Sequence, residues 1–477
     1  MLAMPEPDPK VLARREAIVA ALRERAGAAN VIAEPLRLKP YETDGFTAYK
    51  CVPLAVVLPE STAQVAACLR YCHEQGIRVV PRAAGTSLSG GALPLEDAVV
   101  IGVARMNRIL EVSLEDRLAR VEAGVTNLSI TRAVEGEGFF YAPDPSSQLA
   151  CMIAGNVAMN SGGAHCLKYG VTANNLLGVT MVTIEGEVIE LGGGHLDTPG
   201  YDWLGLITGS EGQLGIVTEV TVRILRAAEG ARAMLVGFAA TDVAGAAVAD
   251  IIASGIIPVA LEFMDKPCIH ACEAFAHAGY PLDAEALLII EVEGSAAEQD
   301  ALLDRLKAIC ARHAPTTVRV ARNAEESAAI WKGRKAAFGA IGRISPDYLC
   351  MDGTIPPGAL PEAMRRIGTL AAHYGLQVAN VFHAGDGNLH PLILFDANDP
   401  ESFRRAEMLG ADILRLCVEL GGCLTGEHGV GIEKRDLMTA QFGPADLDQQ
   451  RRVKRAFDPQ WLLNPHKVFP LEAAGTA

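Results

Sequence analysis

Two histidines bracket a short glycine-rich stretch well past the middle of the chain. His383 and His390 stand seven positions apart in "FHAGDGNLHP", residues 382–391. The Gly-Asp-Gly-Asn core between them disfavours a helix, and in a straight strand an odd separation would place the two rings on opposite faces. A turn is therefore predicted, because it would bring both imidazoles to one side. Two imidazoles on one side of a turn can share a metal ion.

A carboxylate and a further histidine follow in "GEHGVG" (426–431), where Glu427 precedes His428. Two imidazoles with one carboxylate leave positions open for substrate, as in catalytic zinc and other divalent sites. The residues alone leave three interpretations open. In the first, His383, His390 and Glu427 form a metal site. In the second, the segment is an anion-binding loop whose histidines hold no metal. In the third, it is a structural turn with satisfied side chains.

A basic stretch, "WKGRKAAFGAIGR" (331–343), offers a partner for an anionic substrate. The planar guanidinium of Arg334 suits bidentate pairing with a carboxylate. A solvated basic face is the alternative, and it fits Lys332 and Lys335 better than Arg334.

Four loops rich in Gly, Ser, Asn or Pro precede these residues. They are "RAAGTSLSGG" (82–91), "YAPDPSS" (141–147), "AGNVAMNSGGAHCLKYG" (154–170) and "TGSEGQLGIVTEVTV" (208–222). The first matches neither G-x-x-x-x-G-K-[ST] nor G-x-G-x-x-G, and a strand-like segment rather than a helix follows it. Its backbone N–H groups could still converge on an anion. Four such loops predict one extended polar ligand that passes many backbone amides.

The surrounding patterns predict the elements that must position these residues. A leading helix is expected from Asp8 to Gly27, and a strand, a helix capped by Ser61 and a second strand form a β-α-β unit that leads into the first loop. From about residue 228, strands alternate with Ala-rich helices, which predicts an antiparallel sheet with helices on one face. We expect a helical segment (1–50), a ligand-binding domain (51–227), a substrate domain (228–420) and a C-terminal segment that completes the active site (421–477).

Composition excludes several classes of protein. The net charge of -15 and the lack of a long basic run argue against nucleic acid as a partner. The 11 cysteines form no C-x-x-C, so neither a disulfide framework nor an iron-sulfur cluster on this chain is expected. Apolar runs are too short to span a membrane, and the start, "MLAMPEPDPK", resembles no secretory signal. A cytoplasmic protein is therefore expected.

Seven motifs in a fixed order carry a family resemblance. They are "PRAAGTSLSGGALPL", "FYAPDPSSQLA", "GNVAMNSGGAHCLKYG", "TGSEGQLGIVTEVTV", "GRISPDYLCMDGTIP", "NVFHAGDGNLHPLILFD" and "GEHGVGIEKR". With them the chain resembles the vanillyl-alcohol oxidase / p-cresol methylhydroxylase flavoproteins, in their 2-hydroxy-acid dehydrogenase branch, and within it the FAD-linked D subunits of bacterial glycolate oxidases. The implied fold is α+β, with a two-lobed FAD-binding domain and an α+β substrate (cap) domain built on an antiparallel sheet.

The resemblance implies FAD, with the first loop around the pyrophosphate and the other three along the adenosine and the isoalloxazine. The residues that it places on FAD are Pro81, Arg82, Gly85, Thr86, Ser87, Ser89, Gly90, Gly91, Pro143, Asp144, Ser146, Gly155, Asn156, Asn160, Gly162, Gly163, Glu211, Gly212, Ile216, Val217 and Asn464. Relatives that attach FAD covalently here use a histidine where this chain has Thr86, so non-covalent FAD is expected. The chain departs from the family's Asn-Pro-Gly-Lys by His466.

The implied activity is metal-assisted oxidation of a 2-hydroxy acid to the 2-oxo acid. Relatives place a divalent ion, zinc or another transition ion, on the positions of His383, His390 and Glu427, and they pair the substrate carboxylate with the position of Arg334. His428 is the expected base for the hydroxyl proton, because imidazole titrates near neutrality. Relatives that take diacids carry a second basic residue near Cys350. A monocarboxylate is therefore favoured, glycolate first and D-lactate next, over 2-hydroxyglutarate.

The resemblance also implies partners that take electrons from the flavin. These are a second flavin-type subunit and an iron-sulfur subunit, through which the chain would lie peripherally at the inner membrane. Two other functions remain alternatives. One is a metal-dependent hydrolase with a nucleotide-like substrate, which would be colourless and bind no FAD. The other is a non-catalytic subunit, which would reduce no dye with any 2-hydroxy acid.

Overall fold

The structure is a computed structural model that describes residues 4–195 and 200–471. Its Cα positions form two compact units. The loop unit comprises the described residues of Leu2–Gly162, Val171–Arg226 and Glu427–Ala477, and the histidine unit comprises Gly163–Gly170 and Ala227–Gly426. The predicted domain limits at 51, 228 and 421 stay a prediction.

The loop unit contains three sheets. The first has the order β1-β2-β4-β3, with β1 (Val31–Ile32), β2 (Ala55–Val57), β3 (Val79–Arg82) and β4 (Val99–Gly102). The second is antiparallel with the order β5-β6-β10-β8-β9, and a two-stranded sheet pairs β7 with β11. Their strands are β5 (Ile109–Ser113), β6 (Leu118–Glu122), β7 (Phe139–Phe140), β8 (Leu176–Val182), β9 (Val188–Gly192), β10 (Ile216–Arg223) and β11 (Leu225–Arg226).

Helices precede these strands and connect them. They are α1 (Pro9–Leu12), α2 (Arg15–Ala26), α3 (Pro35–Leu38), α4 (Thr62–Glu74), α5 (Asn127–Val134), α6 (Ile153–Met159), α8 (Thr172–Asn175) and α9 (Trp203–Ile207), while α7 (Cys166–Tyr169) belongs to the histidine unit. The predicted single leading helix is wrong, because Arg14 leaves the helical conformation (φ -99°, ψ 8°) and separates α1 from α2.

The predicted β-α-β unit is present. Ser61 caps α4 by accepting a hydrogen bond of 3.3 Å from the N–H of Gln64. Strands β2 and β3 each pair in parallel with β4, which lies between them. Strand β3 ends at Arg82, so the first glycine-rich loop begins at the carboxyl end of a parallel strand. Ligands of open parallel sheets bind at this end.

The histidine unit is built on a nine-stranded sheet whose pairings are antiparallel, as predicted. The order β15-β12-β14-β13-β18-β19-β17 is extended by β20, which pairs β16 and β18. The strands are β12 (Ala231–Phe238), β13 (Ala260–Asp265), β14 (Ala286–Glu293), β15 (Thr317–Val320), β16 (Asp347–Cys350), β17 (Gly353–Thr354), β18 (Val378–His383), β19 (Asn388–Leu389) and β20 (Pro391–Phe395).

The remaining helices follow in chain order. The histidine unit contains α10 (Thr241–Ala253), α11 (Lys266–Ala276), α12 (Ala296–Ala311), α13 (Ala324–Lys335), α14 (Ala337–Ile341), α15 (Leu360–Tyr374) and α16 (Pro400–Glu419), and the loop unit ends with α17 (Met438–Gln441) and α18 (Pro444–Phe457). No helix within 4–195 or 200–471 combines the length and the apolar character that a membrane span requires.

Aromatic packing stabilises the register between β13 and β18, the strand that ends at His383. In the antiparallel pair of β13 and β18, Phe263 lies opposite Phe382, and the next pair along is Glu262 opposite His383. The two phenylalanine rings are fully buried and stacked, with centroids 4.6 Å apart. Such a stacked pair is worth about 0.5–1.5 kcal/mol beyond the burial of its area. This packing sets the register that brings Glu262 beside His383.

Candidate active site

The two histidines lie at the two sides of a tight turn in the histidine unit. His383 ends β18 and pairs with Asn388 at the start of β19, so the predicted turn is present. Gly387 has a φ of +77°, and a Cβ there would lie 2.0 Å from the carbonyl oxygen of Ile355. Only glycine fits this position. The rings of His383 and His390 approach to 5.3 Å between centroids, nearly perpendicular at 86°.

Hydrogen bonds at Nδ1 orient both rings. The Nδ1 of His390 lies 3.3 Å from the carbonyl oxygen of Met351, which can only accept, so this nitrogen carries the proton. The Nδ1 of His383 lies 2.7 Å from the Oε1 of Glu262 and donates to it in the same way. Nε2 is then the lone-pair nitrogen of each neutral ring. One ring nitrogen from each histidine lies within 4.8 Å of the other, which fits a shared divalent ion.

Cys350 and Asp352 lie near this pair. The Sγ of Cys350 is within 4.8 Å of a ring nitrogen of His390, which makes its thiol a candidate soft ligand. From the sequence, Cys350 was related only to the choice between monocarboxylate and diacid substrates, and not to the metal. Asp352 is fully buried, and its Oδ2 accepts from the N–H of Gly426 at 3.0 Å. Gly426 is the last residue of the histidine unit, and Glu427 follows it in the chain.

Arg334 is the buried member of the basic stretch. Its side chain is 5% exposed, whereas Lys332, Lys335 and Arg343 are exposed. The Nε and Nη2 of Arg334 donate to the Oε2 of Glu262 at 2.8 and 2.6 Å. Glu262 therefore occupies one edge of the guanidinium. A substrate carboxylate could pair with the other edge, formed by Nη1 and Nη2.

Glu427 and His428 belong to the loop unit, where both residues form hydrogen bonds with the predicted FAD loops. The Oε2 of Glu427 accepts from the N–H of Gly162 at 3.0 Å, and the carbonyl oxygen of His428 accepts from the Oγ of Ser89 at 2.9 Å. Further along, the carboxylate of Glu211 accepts from the N–H groups of residues 430 and 431 at 2.6 and 2.7 Å. Glu211 thus holds this segment through its side chain.

The first glycine-rich loop presents backbone donors. Gly85 has a φ of +75°, which favours glycine. Within 4–195 and 200–471, no residue accepts a hydrogen bond from the N–H of Gly85, Thr86, Ser87 or Leu88. Successive free N–H groups around a positive-φ residue are a feature of anion-binding backbone. The loop therefore fits the pyrophosphate that the resemblance implies.

Asn464 joins several of the predicted FAD residues. Its Nδ2 donates to the carbonyl oxygens of Gly91 at 3.1 Å and of Glu211 at 2.7 Å. Its Oδ1 accepts from Lys467 at 2.5 Å, and burial lowers the pKa of Lys467 to about 7. His466 has a φ of +63°, a conformation that favours the glycine that the resemblance implies at this position.

The other predicted FAD residues are distributed as follows. Pro81 and Arg82 end β3, Ser89 and Gly90 are buried in the first loop, and Pro143 and Asp144 lie in the second loop. Gly155 and Asn156 lie in α6, and Asn160 follows this helix with a φ of 51°. Gly212 has a φ of 69°, and Ile216 and Val217 begin β10. Two differ from the rest, because Ser146 is exposed and Gly163 belongs to the histidine unit.

Asn127, which lies near these loops, is not among the residues predicted from the sequence. The Nδ2 of Asn127 donates to the carbonyl oxygen of Pro143 at 3.0 Å and to the Oδ1 of Asn156 at 3.1 Å. Asn127 is almost fully buried, and it joins the second loop to the third. A side-chain amide at the start of α5 gave no signal of this role, since its partners lie 16 and 29 positions away.

Known proteins similar to this chain decide its family. Residues 53–192 match the family described as "FAD binding domain", and residues 228–468 match "FAD linked oxidases, C-terminal domain". Glycolate oxidase subunit GlcD of Escherichia coli (strain K12) is 52% identical over 96% of this chain and 91% of that protein. The chain belongs to the FAD-linked oxidases.

Other relatives of this FAD-linked oxidase agree with the resemblance. Glycolate oxidase subunit GlcD of Bacillus subtilis (strain 168) is 38% identical over 91% of this chain and 92% of that protein. D-lactate dehydrogenase of Archaeoglobus fulgidus is 32% identical over 87% of this chain and 90% of that protein. The predicted family and FAD binding are therefore confirmed. The hydrolase alternative is unsupported, since these relatives are named oxidases and dehydrogenases.

Solved structures confirm the predicted fold class of the FAD-linked oxidase. The 4-ethylphenol oxidase of Gulosibacter chungangensis superposes with a TM-score of 0.82 at 18% identity, covering 98% of this chain and 99% of that one. p-Cresol methylhydroxylase gives a TM-score of 0.79 at 17% identity, covering 98% of each chain.

Proposed function

We propose that this FAD-linked oxidase oxidises glycolate to glyoxylate with the help of a divalent metal, and that D-lactate is its next-best substrate. The proposal rests on one observation above all. In the histidine unit, the imidazoles of His383 and His390 lie together, each oriented through its Nδ1, and Glu262 joins His383 to the buried guanidinium of Arg334. Relatives named glycolate oxidase subunits and D-lactate dehydrogenases support the same reaction.

The chemistry requires loss of the hydroxyl proton and transfer of a hydride from the same carbon. Bound FAD supplies the hydride acceptor, and a divalent ion lowers the pKa of the hydroxyl. His383, His390 and Glu427 are proposed to hold the metal. The proposed base for the hydroxyl proton is His428, which follows Glu427 directly in the chain. Arg334 is proposed to pair with the substrate carboxylate and orient the carbon.

The proposed substrate is a small monocarboxylate. The resemblance implies that diacid-specific relatives carry a second basic residue near the position of Cys350, whose Sγ is near His390. A thiol provides no cation for a second carboxylate. Because Glu262 occupies one edge of Arg334, a single carboxylate on the other edge is the arrangement that this chain favours.

We further propose that FAD is bound without a covalent link, since Thr86 stands at the position of the family's attaching histidine. The Escherichia coli relative is named a subunit, which supports assembly with other proteins. The proposed partners are a second flavin-type subunit and an iron-sulfur subunit, which would take the electrons. We expect the complex in the cytoplasm, peripheral at the inner membrane.

Dye-linked turnover of four acids tests this function. Glycolate should be the best substrate and D-lactate the next, while L-lactate and D-2-hydroxyglutarate should be poor. Chelation should remove the activity, and a divalent ion should restore it. After acid precipitation, FAD should remain in the supernatant. Turnover of none of the four acids would contradict the proposal, and colourless protein that gains no flavin spectrum with added FAD would favour a hydrolase instead.

A further inference from the structure

One buried carboxylate bonds both the proposed metal ligand and the proposed substrate anchor. Glu262 lies in the middle of β13, and its side chain is 0% exposed. Its Oε1 lies 2.7 Å from the Nδ1 of His383, directly opposite in the sheet, and its Oε2 accepts from the Nε and Nη2 of Arg334 on α13. Each oxygen therefore has its own partner.

The charge of Glu262 suits it to this position. Two N–H groups of the Arg334 guanidinium, those of Nε and Nη2, donate to its Oε2, so Glu262 is the ionised member of a buried ion pair. An ionised carboxylate only accepts hydrogen bonds. The Nδ1 of His383 must then donate, so that in the neutral ring the lone pair lies on Nε2.

We propose that Glu262 is a positioning residue that couples metal binding to substrate binding, because it sets the tautomer of His383 and the orientation of Arg334 together. This inference rests on the proposed function. Neither role requires Glu262 to touch metal or substrate. Partners of this kind behind a ligating histidine change metal affinity by about 10- to 100-fold when they are removed.

A glutamine at position 262 would reverse the hydrogen bond to His383. Arg334 has donors only, so the amide oxygen of the glutamine must face it. The amide NH2 then faces the Nδ1 of His383, which must become an acceptor. The proton moves to Nε2, which can no longer bind a metal. Glu262→Asp would keep the ionised acceptor, although its carboxylate would be shorter by one methylene.

Glu291 provides a matched control on the neighbouring strand β14. It is also buried, at 7% exposed, and its carboxylate lies 2.7 Å from the Nε1 of Trp331 and 3.1 Å from the Nε2 of His165. A glutamine at position 291 can satisfy both partners, since its oxygen accepts from Trp331 and its NH2 donates to His165. Glu291→Gln therefore removes a similar charge without changing the tautomer of His383.

The experiment is a zinc titration of the FAD-loaded, chelator-stripped protein against a competing fluorescent chelator. Glu262→Gln should weaken zinc binding by about 10- to 100-fold, Glu262→Asp by less, and Glu291→Gln by no more than about twofold. The flavin spectrum and the urea unfolding midpoint show whether each variant is folded. If Glu262→Gln does not fold, the zinc affinity of Glu262→Asp is compared with that of the wild type instead.

The two hypotheses fail in different ways. Wild-type protein that binds no zinc and oxidises none of the four acids would overturn the proposed function. Wild-type protein that binds zinc, with unchanged affinity in Glu262→Gln, would overturn the positioning role alone. Equal losses in Glu262→Gln and Glu291→Gln would also overturn it, because the effect would then be one of buried charge and not of tautomer.

Discussion

Two buried glutamates, one in each unit, are satisfied in different ways. In the loop unit, Glu211 accepts hydrogen bonds of 2.6 and 2.7 Å from two consecutive backbone N–H groups, those of residues 430 and 431. In the histidine unit, Glu262 accepts from the side chains of His383 and Arg334 instead. The first carboxylate fixes the path of the main chain, and the second fixes the orientation of functional side chains.

This difference matches what each unit has to present. An extended cofactor such as FAD is held largely by backbone N–H groups, so the loop unit must control its main chain, and glycines at positive φ do this locally. The histidine unit is proposed instead to aim a few side-chain atoms at a small substrate. Precise aim requires partners that lock each rotamer and tautomer. Changes in the two units should therefore have separable effects.

The largest effect is expected from Arg334→Ala. It leaves the fully buried Glu262 without its guanidinium, and breaking a buried ion pair in this way costs about 3–5 kcal/mol of unfolding free energy. FAD binding should remain, because Arg334 belongs to the histidine unit. Urea unfolding and the ratio of flavin to protein absorbance measure the two properties.

Lys332→Ala is the control for this change. It removes a positive charge from the same helix, but Lys332 is exposed, so we expect a change of no more than about 0.5 kcal/mol. Arg334→Lys keeps the charge and should recover part of the loss. If Arg334→Ala unfolds at the same urea concentration as Lys332→Ala, side-chain pairing does not stabilise the histidine unit.

A smaller effect on stability, but a specific one on FAD, is expected from Gly85→Ala. The new Cβ would lie 2.1 Å from the Nη2 of Arg82, at a φ of +75°. Left-handed backbone costs an L-residue about 1–2 kcal/mol, and the displaced guanidinium would disturb the loop that is proposed to hold the pyrophosphate. We expect FAD to be lost on gel filtration, which the absorbance ratio measures.

Gly76→Ala separates the two causes. Gly76 also has a positive φ, +63°, but no heavy atom lies within 4 Å of the point that an alanine Cβ would occupy there, and it lies outside the first loop. Gly76→Ala should cost about 1–2 kcal/mol of stability and leave FAD binding intact. Equal retention of FAD by both variants would show that the loop does not depend on Gly85.

The local features of the molecule could be predicted from its sequence. The strands and the helix of the β-α-β unit, the individual strands of the antiparallel sheet and the turn between His383 and His390 each depend on residues close together in the chain. Glycine and hydrophobic periodicity report such local conformations directly. The leading helix was the exception, since nothing in its apolar spacing marked the break at Arg14.

The side-chain network could not be predicted, because its members are distant in sequence. Glu262 lies 121 positions from His383 and 72 from Arg334. The segment "IPVALEFMD" predicted only a strand. A single charge in the middle of an apolar strand was the available signal, since a buried charge is rarely left without a partner. Nothing in the sequence named that partner.

Anaerobic reduction of the flavin by glycolate tests the central claim most directly, because it needs neither dye nor partner subunits. Glycolate should bleach the visible flavin band of the zinc-loaded protein. Chelated protein and the His428→Asn variant should bleach far more slowly, and zinc should restore only the former. Bleaching that is unaffected by chelation would contradict the role of the metal, and an unchanged flavin spectrum with glycolate and D-lactate would contradict the proposed oxidation itself.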